Sequence, residues 1–353
     1  MTLPEYLYYL GYTVKKHFAL RNRKRLPCPV VSIGNVTLGG TGKTPAAMAV
    51  AREALAREFY PCILSRGYKG AAKGPCFVTR GEGPLIDPHQ AGDETFLMAQ
   101  TLRGVPIVKG ADRYEAGLFA LEHLPNVDGR LRSRLLFILD DGFQHWKLHR
   151  DIDVVLVRGR QPFGNGKLFP AGPLREPLSA MERADIVVLT NASDAATSAE
   201  GLPSDVVGEL ARYAPSARFY RARHRPLSFV TSAGETVPLS EVQGRRVLAF
   251  CGIANPASFR ETLKSLAIEC AEFIVFRDHH WYRRADVARI LKRSRETGTS
   301  WIVTTEKDIM RLEGFGLPDI VALRIVFDTD RAFYNDVFGR LQKREVPFVM
   351  ERA

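Results

Sequence analysis

Short, almost uninterrupted apolar runs recur along the first two-thirds of the chain, separated by stretches long enough to hold helices. The runs lie at Pro29–Ile33, Cys62–Leu64, Val105–Val108, Leu135–Leu139, Val154–Val157 and Ile186–Leu189. Strands of a parallel sheet have this pattern, because helices cover the sheet on both faces. The pattern therefore predicts an α/β domain built on a parallel sheet covered by helices.

A second α/β pattern follows in the last third of the chain. Its apolar runs lie at Arg246–Phe250, Phe273–Phe276, Trp301–Thr304 and Ile320–Val326. A chain of 353 residues also exceeds the length that one hydrophobic core usually serves. We therefore predict two domains, a larger one over residues 1–222 and a smaller α/β domain over 223–353.

The composition excludes several classes of protein. With 45% hydrophobic and 25% charged residues, the chain is typical of globular proteins and not of disordered or fibrous ones. No apolar stretch approaches the roughly 20 residues of a membrane-spanning helix. The cysteines are scattered and contain no Cys-x-x-Cys pair; they are Cys28, Cys62, Cys76, Cys251 and Cys270. This usage argues against a disulfide framework or a zinc site and favours a cytoplasmic setting.

About half of the net charge of +11 lies in an N-terminal arm that is also rich in apolar residues. Its basic residues are Lys15, Lys16, Arg21, Arg23, Lys24 and Arg25, and its apolar ones include Leu3, Tyr6, Leu7, Leu10 and Phe18. The arm predicts an amphipathic helix that binds a membrane surface. The alternative is a helix packed on the body of the protein with a solvated basic end. No nucleic-acid partner is predicted, because RNP, KH and zinc-finger patterns are absent from the sequence.

The strongest local motif is a glycine-rich turn between an apolar strand and a helix that opens near Pro45. The residues predicted to bind nucleotide are Thr37, Leu38, Gly39, Gly40, Thr41, Gly42, Lys43 and Thr44. Such a turn holds phosphates through backbone N–H groups, with the lysine reaching the terminal phosphates and the threonine hydroxyl binding Mg²⁺. Thr37 stands where the strict P-loop pattern has its first glycine. The motif predicts ATP and Mg²⁺ as ligands in a P-loop fold.

Two acids follow the apolar run Leu135–Leu139. Asp140 and Asp141 stand where a P-loop protein places the carboxylate that holds Mg²⁺. A single aspartate at the end of a strand is more often a turn or cap residue. Two in succession, in a chain with a P-loop, favour a magnesium site made with Thr44.

Several blocks of sequence together resemble the tetraacyldisaccharide 4'-kinase family of Gram-negative envelope synthesis. The most specific are Gly34–Pro45 and Asp140–His145; the others are Leu64–Tyr68, Gly92–Glu94, Ala111–Tyr114, Phe169–Pro177, Phe250–Pro256, Asp278–His279 and Thr304–Asp308. They occur in the family's order through nearly the whole chain. The resemblance implies a P-loop kinase with its active site between two domains, peripheral to the cytoplasmic face of the inner membrane.

The implied reaction is transfer of the ATP γ-phosphate to the 4'-hydroxyl of a tetraacylated glucosamine disaccharide 1-phosphate, which gives lipid IVA. Two alternatives remain open: a P-loop ATPase that acts as a switch at the membrane, and a kinase for a soluble metabolite. A switch needs a group that positions water, whereas a kinase needs a base directed at the acceptor hydroxyl.

The resemblance also implies roles for individual residues. The catalytic carboxylate of the family falls on Asp93, and its assisting histidine falls on His279. Without the resemblance, the sequence would predict that Asp93 is a helix N-cap and His279 a surface histidine. Further catalytic cations are Lys43, Arg113 and Arg175, and Glu176 joins Thr44, Asp140 and Asp141 around the metal. Candidate substrate contacts are Ser65, Arg66, Tyr68, Gln144 and His145. Tyr68 could equally be a core residue, and Gln144 and His145 could brace the loop instead.

Overall fold

The computed structural model describes residues 2–124, 133–159, 161–190, 204–312, 314–315 and 320–343. The chain divides into two compact units. The first unit runs to His224 and resumes at Phe327, and the second comprises Arg225–Val326. No helix in these ranges has both the length and the apolar character needed to cross a bilayer.

The first unit is built on a mostly parallel sheet. Its strands are β1 (Val30–Gly34), β2 (Tyr60–Ser65), β3 (Cys76–Thr79), β4 (Ile107–Lys109), β5 (Leu135–Asp140), β6 (Ile152–Arg158), β7 (Ile186–Thr190) and β8 (Arg218–Thr231), which continues into the second unit. The strand order is β8-β7-β6-β1-β5-β2-β4-β3, and only β3 runs antiparallel to its neighbour. All six predicted apolar runs lie in or overlap these strands, so the predicted α/β fold is confirmed.

Helices of the first unit cover the sheet. They are α1 (Leu3–Arg21), α2 (Lys43–Ala56), α3 (Pro88–Ala91), α4 (Asp93–Thr101), α5 (Arg113–His123), α6 (Ser204–Tyr213) and a 3-10 helix over Leu178–Arg183. On one face, Phe137 and Leu139 of β5 cluster with Ala120 of α5. The intervening Leu136 and Ile138 are also fully buried, which requires cover on the other face.

The second unit is a smaller α/β body. Its further strands are β9 (Thr236–Val237), β10 (Arg246–Cys251), β11 (Glu269–Val275), β12 (Trp301–Thr305) and β13 (Ile320–Thr329). Its helices are α7 (Leu239–Val242), α8 (Pro256–Ser265), α9 (Arg284–Glu296) and α10 (Glu306–Met310). The order is β11-β10-β12-β13-β8, and β10 is parallel to both its neighbours. The four predicted strands of this region are present.

The C-terminal helix α11 (Arg331–Lys343) packs with the first unit. The rings of Phe338 and Phe59 lie 5.4 Å apart, and Asp336 pairs with Arg218 at 3.0 Å. The division therefore differs from the predicted domains 1–222 and 223–353, because the chain returns to the first unit at Phe327. Residues 344–353 of the predicted second domain lie outside the described ranges.

Candidate functional site

The glycine-rich turn connects β1 to α2 in the middle of the first sheet. Gly39 and Gly42 have positive φ values of 101° and 85°, a region that other residues rarely adopt. A Cβ atom at Gly42 would also lie 2.0 Å from Nε2 of His224. Glycine is therefore required where the turn enters α2 at Lys43. A glycine turn that leads into a helix N-terminus has the form that binds phosphate.

The residues of the turn divide into two groups. Thr37 and Leu38 brace it, because the carbonyl of Thr37 accepts from Nδ2 of Asn35 (2.7 Å) and the N–H of Leu38 donates to Pro173 (2.7 Å). That N–H is therefore already engaged, which argues against the predicted phosphate contact of Leu38. By contrast, Thr41 is 1% exposed and its Oγ1 has no hydrogen-bond partner among the described residues. A phosphate oxygen would supply the missing partner.

Oxygen-bearing side chains converge where β5 ends. Thr44 donates from Oγ1 to Oε2 of Glu94 at 2.9 Å and lies 3.5 Å from Oδ1 of Asp140. Ser65, a predicted substrate residue, lies instead 3.5 Å from Oδ2 of Asp140. Burial raises the pKa of Asp140 to about 7, and the charges of Glu94 and Asp141 add to the effect. A cation here would favour the ionised carboxylate, so the cluster suits a metal ion.

Asp141 is held by two cations. Arg175 donates to both of its carboxylate oxygens, at 2.7 and 3.0 Å, and Nζ of Lys43 lies 3.7 Å away. Burial alone would raise the pKa of Asp141, but Lys43 and Arg175 outweigh it and lower the pKa to about 2. Asp141 therefore stays ionised and aligns the two predicted catalytic cations beside the glycine turn.

Glu176, a predicted metal ligand, is surrounded by hydrogen-bond donors of the protein. It is fully buried, and Arg183 donates to both its oxygens at 2.7 and 2.8 Å. Gln144 (2.7 Å) and Tyr12 of α1 (3.2 Å) also donate to it. Its acceptor capacity is thus taken up inside the protein. Glu176 connects α1 to the loop that carries Arg175, and these contacts argue against the predicted role of Glu176 as a metal ligand.

Gln144 and His145 brace the loop after β5. Gln144 links the backbone of Asn35 to Glu176, and its Oε1 accepts from Arg175 at 2.9 Å. Nε2 of His145 accepts from the N–H of Arg113 at 3.3 Å. Burial lowers the pKa of His145 to about 4, and Arg113 adds to the effect, so the imidazole is neutral at pH 7. These contacts favour the bracing alternative over a direct substrate contact.

Arg113 is a buried cation beside the two acids. It is 4% exposed, and its NH1 donates to the carbonyl of Ala111 at 3.0 Å. Its Nε has no hydrogen-bond partner in the described parts of the chain. Burial lowers the pKa of Arg113 to about 10, which the charges of Asp140 and Asp141 oppose. The guanidinium is charged at neutral pH and has an unused donor.

Asp93 is the first residue of α4, and Gly92 occupies the N-cap position. Asp93 is 5% exposed, and its Oδ1 accepts from the N–H of Glu94 at 3.1 Å. A Cβ at Gly92 would lie 2.5 Å from the carbonyl of Tyr68, so the loop carrying Arg66 and Tyr68 packs against this end of α4. Tyr68 is 57% exposed, which excludes the core alternative. Sequence reasoning missed Glu94, although it follows Asp93 directly.

His279 lies in the second unit, after β11, with its backbone in an uncommon conformation. Its φ is 61°, which costs about 1–3 kcal/mol for a residue other than glycine. Its N–H donates to Gly252 (3.0 Å), whose own N–H donates to Oδ1 of Asp308 (3.0 Å). Asp308 is fully buried and paired with Arg311. This network holds the backbone of His279, whose catalytic role stays a prediction.

Comparison with known proteins gives consistent matches over nearly the whole chain. The family described as Tetraacyldisaccharide-1-P 4'-kinase matches residues 3–342. The tetraacyldisaccharide 4'-kinase of Syntrophus aciditrophicus is 42% identical over 293 residues, which is 82% of this chain and 76% of that protein. That of Halothermothrix orenii is 39% identical over 294 residues, or 80% of this chain and 73% of that protein.

A solved structure agrees with the sequence matches. The crystal structure of an "apo" form of LpxK from Aquifex aeolicus in complex with ATP has a TM-score of 0.72 and 32% sequence identity to this chain, and the match covers 96% of each. The resemblance found in the sequence blocks is thereby confirmed. The chain belongs to the tetraacyldisaccharide 4'-kinase family.

Proposed function

We propose that this chain transfers the γ-phosphate of ATP to the 4'-hydroxyl of a tetraacyldisaccharide 1-phosphate and so forms lipid IVA. The observation that carries the proposal is the convergence of Thr44, Glu94 and Asp140 at the glycine turn, with Asp93 next to Glu94. Family membership favours this activity over a P-loop switch ATPase or a kinase for a soluble metabolite.

ATP fits the glycine turn. The Aquifex aeolicus relative is a complex with ATP. Here the orphaned Oγ1 of Thr41 and the start of α2 supply phosphate contacts. Lys43 lies 3.7 Å from Asp141 and is placed to reach the terminal phosphates. Arg175 and Arg113 stabilise the charge that develops on the transferred group.

Mg²⁺ fits the oxygen donors beside the turn. Thr44 and Asp140 would hold it, and Asp141 adds negative charge nearby. No group of three or more His, Cys, Asp or Glu side chains in the described ranges forms a complete metal cage. This suits magnesium, which is usually held by one or two protein oxygens together with water and phosphate. When bound, the ion neutralises the phosphate charge.

Asp93 is the base that accepts the proton of the acceptor hydroxyl. A carboxylate within hydrogen-bond reach of a sugar hydroxyl can accept its proton during transfer. The low exposure of Asp93 restricts competing water. The sequence resemblance gives His279 an assisting role, and in its own unit the contacts of Asp308 with Gly252 hold the backbone of the histidine.

The proposed function is tested by incubating the protein with MgATP labelled at the γ-phosphate and detergent-dispersed tetraacyldisaccharide 1-phosphate. We expect label in a lipid product, ATP consumption that depends on the acceptor, and loss of transfer when Mg²⁺ is chelated. ATP hydrolysis that is indifferent to the acceptor, with no labelled lipid, would instead support the switch ATPase.

Helix α1 has two different faces. Tyr8 and Tyr12 face the body and donate to Arg175 and Glu176. The outward face is an apolar stripe at helical spacing, 48–72% exposed, formed by Leu3, Leu7, Leu10, Val14 and Phe18. The inner face agrees with the packed alternative, and the stripe is suited to insertion among lipid head groups. The exposed stripe therefore supports α1 as the contact with a membrane surface, and the sequence resemblance implies that this surface is the cytoplasmic face of the inner membrane.

The stripe gives a prediction for membrane binding. The double variant Leu7→Glu/Val14→Glu is expected to weaken binding to vesicles containing anionic lipid by ~10-fold or more, because two apolar side chains no longer enter the bilayer. Co-sedimentation measures the binding. Leu7 and Val14 lie on the exposed face of α1, whereas Tyr8 and Tyr12 make the contacts with the rest of the protein. The two substitutions should therefore leave the fold intact. The control is Leu118→Glu, an exposed apolar residue of α5; equal binding by both variants would contradict the proposed contact.

A further inference from the structure

An open, positively charged cavity of about 470 Å³ lies in the first unit, between the loop 66–74 and residues 109–111. Four cations line it, namely Arg66, Lys69, Lys73 and Lys109, and its lining contains no acidic residue. The exposed ring of Tyr68 forms another part of the wall. We refer to it as the basic cavity. Its charge is that of an anion-binding site.

Lys109 is the feature that separates this cavity from an ordinary basic surface. It is 2% exposed, and Nζ donates to the carbonyl of Gln90 at 2.7 Å. Within the described ranges, its ammonium forms no ion pair with a carboxylate. Burial lowers the pKa of Lys109. A buried ammonium costs free energy unless an opposite charge compensates it, and an anion in the cavity would supply that charge.

The strand order shows on which side of Asp140 the basic cavity lies. Strands β1, β5, β2 and β4 are adjacent and parallel, with Leu64 opposite Leu139 and Ser65 opposite Lys109. Ligands of such sheets bind beyond the carboxyl ends of the strands. The glycine turn follows β1 and Asp140 ends β5, whereas the basic cavity follows β2 and β4. It therefore lies on the opposite side of Asp140 from the nucleotide turn.

The cavity wall is also fixed to the segment that carries the proposed base. The N–H of Ala71 donates to the carbonyl of His89 at 2.9 Å, and Lys109 binds Gln90 in the same segment. A Cβ at Gly92 would lie 2.5 Å from the carbonyl of Tyr68. One acceptor molecule could thus present a hydroxyl to Asp93 and an anionic group to the basic cavity.

From these observations we propose that the basic cavity binds the 1-phosphate of the acceptor disaccharide. The proposal rests on the proposed kinase function and adds Lys69, Lys73 and Lys109 to its substrate contacts. The charge of a phosphate monoester is complementary to four cations that have no acidic neighbour in the lining. The nucleotide phosphates are not candidates, because the glycine turn binds them. Another source of the same chemistry is the phosphate of a membrane lipid head group, which the test below separates.

The test compares two acceptors in neutral detergent: the tetraacyldisaccharide with its 1-phosphate and the same lipid without it. Lys109→Met should raise KM for the phosphorylated acceptor ~10-fold, because charge-assisted contacts are lost. It should leave KM for the dephosphorylated acceptor nearly unchanged. Lys73→Met, at an exposed position where folding is not at risk, should show the same selectivity to a smaller extent. The matched control is Lys167→Met, an exposed lysine outside the cavity.

Each outcome decides one question. Equal effects of Lys73→Met on both acceptors would overturn the 1-phosphate site. A different outcome is that Lys73→Met leaves KM for both acceptors unchanged in detergent and abolishes the stimulation of transfer by phosphatidylglycerol vesicles. The cavity would then bind lipid head groups, and the proposal would also be overturned. If the wild-type protein transferred no phosphate to either acceptor, the kinase function itself would fail. Thermal unfolding of each variant confirms that KM is compared between folded proteins.

Discussion

Replacing Asp93 with asparagine is expected to lower kcat by about 10²–10⁴-fold, the usual contribution of a general base. Asparagine has the same shape and can still accept from the N–H of Glu94 at the start of α4. It cannot accept the proton of the 4'-hydroxyl. Binding of ATP should be nearly unchanged, because the glycine turn and Thr44 are untouched. Steady-state transfer to the lipid acceptor and calorimetric titration with ATP measure the two quantities.

The matched control is Asp87→Asn. Asp87 caps α3 by accepting from the N–H of Gln90 at 2.8 Å, so this variant makes the same chemical change at the start of a neighbouring helix. It should retain transfer activity. If Asp93→Asn also retained it, the acceptor hydroxyl would be deprotonated by another group. A parallel loss of ATP affinity would indicate that Asp93 supports the nucleotide site instead.

Features carried by local sequence could be predicted. The glycine turn is one, because Gly39 and Gly42 are already required by their own positive φ values; the close approach of His224 to Gly42 is a further constraint that the sequence does not show. The buried strands are another, since each is apolar along its length. The pair Asp140–Asp141 comes at the carboxyl end of such a strand, where the ligands of parallel sheets bind. These features required no knowledge of the tertiary contacts.

Strand β8 and helix α11 show where local pattern fails. Residues 218–226 of β8 include four arginines and a histidine, so no apolar run marks this part of the strand. Helix α11 belongs to the first unit through contacts such as that of Asp336 with Arg218, which is 118 residues away. Only the assembled fold brings such partners together.

Glu176 shows the same limit within the site. Family blocks placed it near Arg175, and a carboxylate there suggested a metal ligand. Its actual partners are Arg183, seven residues away, and Tyr12, separated from it by 164 residues. A carboxylate that already accepts from an arginine, a glutamine and a tyrosine has little left to offer a cation. The sequence does not show that these protein donors already occupy the carboxylate oxygens of Glu176.

Glu176→Ala is therefore expected to act on stability. Removing one partner of a buried ion pair typically costs about 3–5 kcal/mol. Arg183 keeps 23% exposure of its side chain and its contact with Phe143, so we expect a cost near the lower end, about 3 kcal/mol, and a fall in Tm of roughly 6–12 °C. Loss of the Tyr12 contact should also loosen α1. Thermal and urea unfolding measure the change.

Two further variants separate this explanation from the metal-ligand prediction. Glu176→Leu combined with Arg183→Met removes both charges and should recover much of the lost stability, since buried ion pairs are often replaceable by apolar side chains. The exposed pair of Glu58 with Arg134 is the control, and Glu58→Ala should cost less than about 1 kcal/mol. If Glu176→Ala instead kept its Tm, and excess Mg²⁺ restored its activity, Glu176 would be a metal ligand. The hydrogen bonds around it predict the opposite, a destabilised protein that additional magnesium does not rescue.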